Sequence, residues 1–96
     1  MKRSSKRRPT HPGEFLREVI LPALDMTKVQ IASSLGVSRQ TLDALINERQ
    51  NLTPNMACRL GFVTNTTPES WLSMQVTLDL WKANHDVDRS NIRRLK

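Results

Sequence analysis

Ninety-six residues with a formal charge of +6 hold one small domain, whose marginal core would lean on a disulfide, a metal or a partner subunit. A lone Cys58 excludes an internal disulfide, and His11 and His85 stand far apart with no ligand cluster beside either, so no metal and no cofactor are expected. No apolar run approaches the ~18 residues of a membrane span, which leaves association with another subunit as the expected supplement.

The excess charge is unevenly placed. Residues 1–10 carry Lys2, Arg3, Lys6, Arg7 and Arg8 and no carboxylate, and they lack any apolar periodicity, so a disordered basic arm is expected. The arm is followed by T-H-P-G-E rather than an apolar stretch, which argues against a secretory signal. With a single cysteine, this points to the cytoplasm. Residues 11–84 are close to neutral and form the expected folded domain, while 85–96 form a flexible basic tail. The arm either attracts phosphates without regard to sequence or merely keeps the chain soluble.

His11-Pro12-Gly13-Glu14 opens the first predicted helix, with proline near its first turn. Phe15, Leu16, Val19 and Ile20 form its inward stripe and Arg17 and Glu18 its outer face. Pro22 is expected to end it, with Leu24 and Met26 of the connection tucked into the core.

Thr27 to Asn47 is the stretch around which the chain is organised. Thr27 and Gln30 can form a capping box, and Val29, Ile31, Ala32 and Leu35 stand at helical spacing. Gly36 follows, where a left-handed residue closes the helix, and Val37 can fold back as an apolar plug. Ser38 caps a further helix in which Leu42, Leu45 and Ile46 face inward, leaving Arg39, Gln40 and Asp43 outward. Helix, glycine turn, helix with polar outward residues at its start is the layout of a DNA-reading helix-turn-helix.

Glu48 to Leu52 makes a polar loop with one apolar anchor. Thr53-Pro54 starts a fourth helix with Met56, Ala57, Leu60 and Val63 inward, Cys58 read as a small buried residue, and Gly61 as a weak point. Thr67-Pro68 starts a fifth. In it Trp71, Met74, Leu78 and Trp81 form one apolar stripe and Leu72, Val76 and Leu80 another. Two stripes exceed what one packed face needs. A second copy of the chain would cover the surplus, as would the tail from Asn84 folding back. The expectation is a homodimer through this C-terminal helix, with Trp71, Met74, Leu78 and Trp81 at the interface.

The blocks H-P-G-E-F-L, S-R-Q-T-L-D-A-L-I-N, L-T-P-N-M-A-x-R-L and T-P-E-S-W-L-x-M-Q…D-L-W, in that order over residues 11–82, resemble the HigA antitoxins of the lambda-repressor-like (Cro/C1-type) helix-turn-helix class. The resemblance implies an all-α fold of five helices, a homodimer on palindromic double-stranded operator DNA, a cognate mRNA-cleaving RNase toxin as partner, and repression of the shared operon. It also implies that Thr27, Lys28 and Ser38 lie near phosphates, with Asn47 and Arg49 as further backbone contacts. Arg39, Gln40, Thr41 and Asp43 look toward base edges: arginine suits guanine, glutamine suits adenine, and Asp43 either accepts from cytosine N4 or orients Arg39. Two departures stand out. Glu48 occupies a position usually held by glycine, so its charge should face away from phosphate, and R-L-G-F-V-T replaces the usual R-L-A-K-A-L at the end of the fourth helix.

An enzyme is not expected, since the chain offers no nucleophile–base pairing, metal-ligand cluster or phosphate-binding glycine loop, and hence no small-molecule substrate. The alternatives to an antitoxin are a stand-alone or phage-type repressor with no toxin, and a protein-binding adaptor that no longer reads DNA.

Overall fold

The computed structural model describes residues 7–95, so the first part of the basic arm lies outside the described residues. The described chain is all helical, as expected. Its first helix, α1, is a composite of α-helical Pro12–Phe15, a π-helical turn Leu16–Ile20 and α-helical Leu21–Leu24. Then follow α2 (Lys28–Leu35), α3 (Arg39–Ile46), α4 (Pro54–Thr64), α5 (Pro68–Asp86) and a short 3-10 turn, Arg89–Asn91.

The starts follow the local chemistry of the caps. Thr27 and Gln30 form the reciprocal capping box of α2, while Ser38, Thr53 and Thr67 accept from Thr41, Met56 and Ser70 N–H groups at the starts of α3, α4 and α5. Gly36, at φ 71, closes α2 in the left-handed conformation that costs glycine little. Pro22 does not stop α1. The Leu21 N–H reaches back to the Leu16 carbonyl in the π turn just before the proline, where a widened turn absorbs the ring and the missing donor. The path ends three residues later at Asp25, φ 51.

The core is built from Leu16, Ile31, Ala32, Leu35, Leu42, Leu45, Ile46, Leu52, Met56, Ala57, Leu60 and Trp71, with Phe15, Ile20, Leu21, Val37, Leu72 and Met74 packed at its edge. Helix α1 lies against α3 and α5, α2 against α3 and α4, and α4 against α5. Several apolar positions read as inward are exposed instead: Val19, Leu24, Met26 and Val63. Cys58 is exposed too. Met56, Ala57 and Leu60 take the inner face of α4 and turn Cys58, with Phe62 one turn on, to the outside. Gly61 is buried where α4 turns into α5. A Cβ there would stand 3.0 Å from the Pro68 nitrogen and the Thr66 carbonyl oxygen, so the glycine lets the turn close tightly. The Gly61 carbonyl accepts the Thr66 N–H at 2.8 Å.

The stripe assigned to the dimer interface needs correction. Trp71 and Leu78 are 2% and 0% exposed and belong to the interior of a single chain, while Met74 and Trp81 are half-buried. Phe15 explains the inversion: its ring meets Trp71 edge-on at 5.8 Å, and the indole N–H donates to Thr66 Oγ1 at 2.8 Å. The free stripe is the other one, with Val76 and Leu80 more than half exposed beside half-buried Leu72. The tail does not cover it, for Val87, Ile92 and Leu95 are themselves exposed.

Candidate nucleic-acid interface

Two arginines from outside the helix-turn-helix brace α3, one at the turn that leads into it and one at its end. At the turn, Arg59 of α4 donates through Nη1 to the carbonyls that close α2, that of Leu35 at 2.9 Å and that of Gly36 at 3.3 Å, while its Nε donates to Asn55 at 2.7 Å. At the end of α3, Arg17 of α1 donates to the Ile46 carbonyl, where the partial negative charge of the helix favours a cation. Arg17 was read as an outer-face residue, but it reaches across to the last turn of α3. Neither clamp is legible in the chain, because the partners lie more than twenty residues away.

Glu48 links the same end to the arm. Its φ is 60, a left-handed position natural to glycine, and its carboxylate lies 3.6 Å from both Arg17 and Arg8. Its charge is thus turned to these two cations. Pro9 and His11 are buried, which seats the base of the arm beside this corner. His11 caps α1, its Nδ1 accepting the Gly13 N–H at 2.8 Å. Burial lowers its pKa from the ordinary 6.5 against the opposing pull of Glu48, and Lys82 and Arg8 add to the lowering. The neutral ring keeps the acceptor that the cap requires.

On the face left open, Arg39, Gln40 and Asn47 are exposed and Thr41, Asp43 and Ala44 half-exposed. Thr41 Oγ1 accepts from the Ser38 hydroxyl at 2.9 Å, and Thr27 Oγ1 is engaged by Gln30 N–H at 3.1 Å. These hydroxyls are thus partly committed to capping. Lys28 at the start of α2 lies 3.7 Å from one oxygen of Asp43, and Arg39 Nε lies 3.7 Å from the other. The fold therefore brings Lys28, Arg39 and Asp43 together. Arg49 is exposed in the following loop, where its N–H donates to the Ala44 carbonyl at 2.8 Å. That loop is fixed from behind by Gln75, 4% exposed, which accepts the Leu52 N–H at 2.7 Å and donates to Asn51 and Asp79.

Sequence reasoning missed Arg17, Arg59 and Gln75 as positioning groups, and Ala44, one turn beyond Gln40, as a small apolar side chain on the open face. The period of the helix was the available signal for Ala44, since an alanine methyl suits the methyl of thymine. Among the described residues no helix is long and apolar enough to cross a membrane, and no group of three or more His, Cys, Asp or Glu could hold a metal ion.

The chain matches no family model. It is 38% identical over 85 residues to the uncharacterized HTH-type transcriptional regulator YbaQ of Escherichia coli, covering 88% of this chain and 75% of that protein. It is 39% identical over 79 residues to antitoxin HigA-1 of Vibrio cholerae, covering 82% and 74%. Among solved structures, antitoxin GraA superposes with a TM-score of 0.85 at 35% identity, over 93% of this chain and 99% of GraA. The structure of GraA in complex with its operator gives 0.84 at 33% identity, over 100% and 98%.

Proposed function

We propose, from the premise that this chain belongs to the HigA antitoxin family of helix-turn-helix regulators, that it reads operator DNA with α3, represses its own operon and neutralises an mRNA-cleaving RNase toxin. The observation that carries DNA reading is the open face of α3. Its first turns present Arg39 and Gln40 free of the core, on a helix whose last turn is pinned by Arg17 and whose preceding turn is pinned by Arg59. A recognition helix must be rigid to place a bidentate side chain on a base edge, and arginine and glutamine have the geometry for guanine and adenine. Lys28, Ser38, Asn47 and Arg49 surround them as phosphate contacts, with Thr27 beside Lys28 at the start of α2.

A palindromic operator calls for two copies with recognition helices about 34 Å apart. The surface that suits a second copy is the stripe of Leu72, Val76 and Leu80 on α5. It is the apolar face a small domain would otherwise leave to water, and it adjoins Gln75 and Asp79, whose hydrogen bonds hold the loop following α3. Pairing through this face would couple the spacing of the two reading helices to a rigid contact.

The test is a shift assay with the chain's own upstream DNA. The unsubstituted chain is expected to bind it over unrelated duplex, and Arg39→Ala to lose roughly 1–3 kcal/mol at one base pair. No shift at low salt would favour a protein-binding adaptor. Co-purification with the product of the neighbouring gene tests the antitoxin role, and the lack of a stable complex would leave a repressor without a toxin.

A further inference from the structure

We propose that Asp43 sets the selectivity of the reading face: it holds Lys28 and Arg39 in the free chain and disfavours duplex that offers its carboxylate no amino group. The inference rests on the DNA-reading function above and adds to it a base preference and a mechanism of rejection.

The two cations flank Asp43 from different helices, each 3.7 Å from a different carboxylate oxygen. These are ion pairs longer than the 2.7–3.2 Å of a good hydrogen bond, and Oδ1 is buried without any hydrogen-bond partner. Lys28 and Arg39 keep side-chain exposures of 46% and 57%. Contacts of this kind aim a side chain but are weak enough to give way. When duplex arrives, a phosphate can draw Lys28 and a guanine edge can draw Arg39. Asp43 is then a carboxylate on the reading face that has lost both of its cations.

That residue is costly to bring against DNA, whose backbone is itself anionic, unless a donor meets it. In the major groove the fitting donor is cytosine N4–H2. Asp43 follows Arg39 by four residues, about 6 Å along a helix rising 1.5 Å per residue, while stacked bases are about 3.4 Å apart. The favoured half-site therefore has a cytosine within about two base pairs of the guanine read by Arg39. A duplex lacking it leaves the carboxylate unpaired, so the rejection is a repulsive element built beside the attractive ones. The segments at 1–10 and 85–96 carry the chain's excess positive charge, which favours any duplex alike. Asp43 subtracts from that attraction where the sequence is read.

The experiment selects binding sites for the full chain from a random duplex library. The enriched duplex and a scrambled one are then titrated with the chain and with Asp43→Asn, which keeps the shape and removes the charge. Asp43→Asn is expected to bind the scrambled duplex about fivefold more tightly, since one like charge has been taken from the phosphates. On the enriched duplex the gain should be smaller or absent, since there the charge-assisted bond to the cytosine amino group is weakened as well. Asp43→Glu, which keeps the charge, should restore the weak binding to scrambled DNA. Equal changes on both duplexes, an unchanged ratio, or enriched sites without a cytosine near the guanine would overturn the assignment to Asp43 alone. If the unsubstituted chain enriches no sequence, the DNA-reading function fails and this inference fails with it.

Discussion

Substituting Gly13 by alanine separates two opposite expectations, and the structure fixes the sign. Gly13 lies in the first turn of α1, and its φ is not positive, so alanine meets no backbone strain there. On helix propensity alone the change should stabilise by up to about 1 kcal/mol. A Cβ at this position, however, would stand 1.8 Å from the carbonyl oxygen of Leu45 and 2.8 Å from its carbon. A carbon and a carbonyl oxygen approach no closer than about 3.3 Å, so α1 would have to withdraw from α3 by about 1.5 Å. The neighbour is helical backbone and cannot rotate away. Overpacking of this kind costs about 1–3 kcal/mol and more where backbone must move. Weakening of the His11 cap adds about 1 kcal/mol. The net expectation is a loss of roughly 2–3 kcal/mol, read as a fall of about 10–20 °C in the thermal midpoint of a domain this size. Thermal melts followed by far-ultraviolet circular dichroism would measure it. A midpoint unchanged or raised would refute the claim that α1 is seated directly on the backbone of α3.

Three further outcomes follow from other contacts. His11 has a folded-state pKa below 6.5 because of its burial, so on acidification the unfolded chain takes up the proton first. The associated stability is present above about pH 6.5 and is lost as the pH falls from there through the folded value. His11→Asn keeps a capping side chain and should flatten that part of the pH–stability curve, whereas an unaltered slope would assign it to other groups. Arg59→Ala removes the donors to Leu35 and Gly36 and the bond to Asn55. It should cost about 1–3 kcal/mol in urea unfolding and weaken operator binding, though no base contact is lost, and full operator affinity would show that the turn needs no clamp. Val76→Glu together with Leu80→Glu should give monomers by light scattering with the helical signal retained, since charges would then face one another across a two-fold axis. A persisting dimer would move the interface away from α5.

Much of the fold was legible because it is written in short-range chemistry. Capping residues at 27, 38, 53 and 67, the glycine at 36 and the periodic apolar residues at 31, 32, 35, 42, 45 and 46 each act on backbone within one turn, and each lies where the chain implied. Pro22 misled for the opposite reason: its local effect was overridden by a π turn in a helix already anchored by Leu16. On the reading face, residue types alone marked Arg39, Gln40 and Asp43 as outward. The meeting of Asp43 with Lys28 across two helices required the folded chain.

By itself, then, the sequence determined five helices, their capped starts and a pair arranged to present polar side chains, since helix formation and capping depend on neighbours three or four residues away. The tertiary structure alone decided which stripe of α5 is spent inside. Both stripes are apolar and periodic, and the packed chain buries Trp71, which meets Phe15, together with Leu78, and leaves Val76 and Leu80 exposed. It likewise decided what holds α3 and the turn and loop that flank it. Arg17, Arg59 and Gln75 act across separations of more than twenty residues, and contacts at that range are fixed by how helices pack rather than by any local pattern.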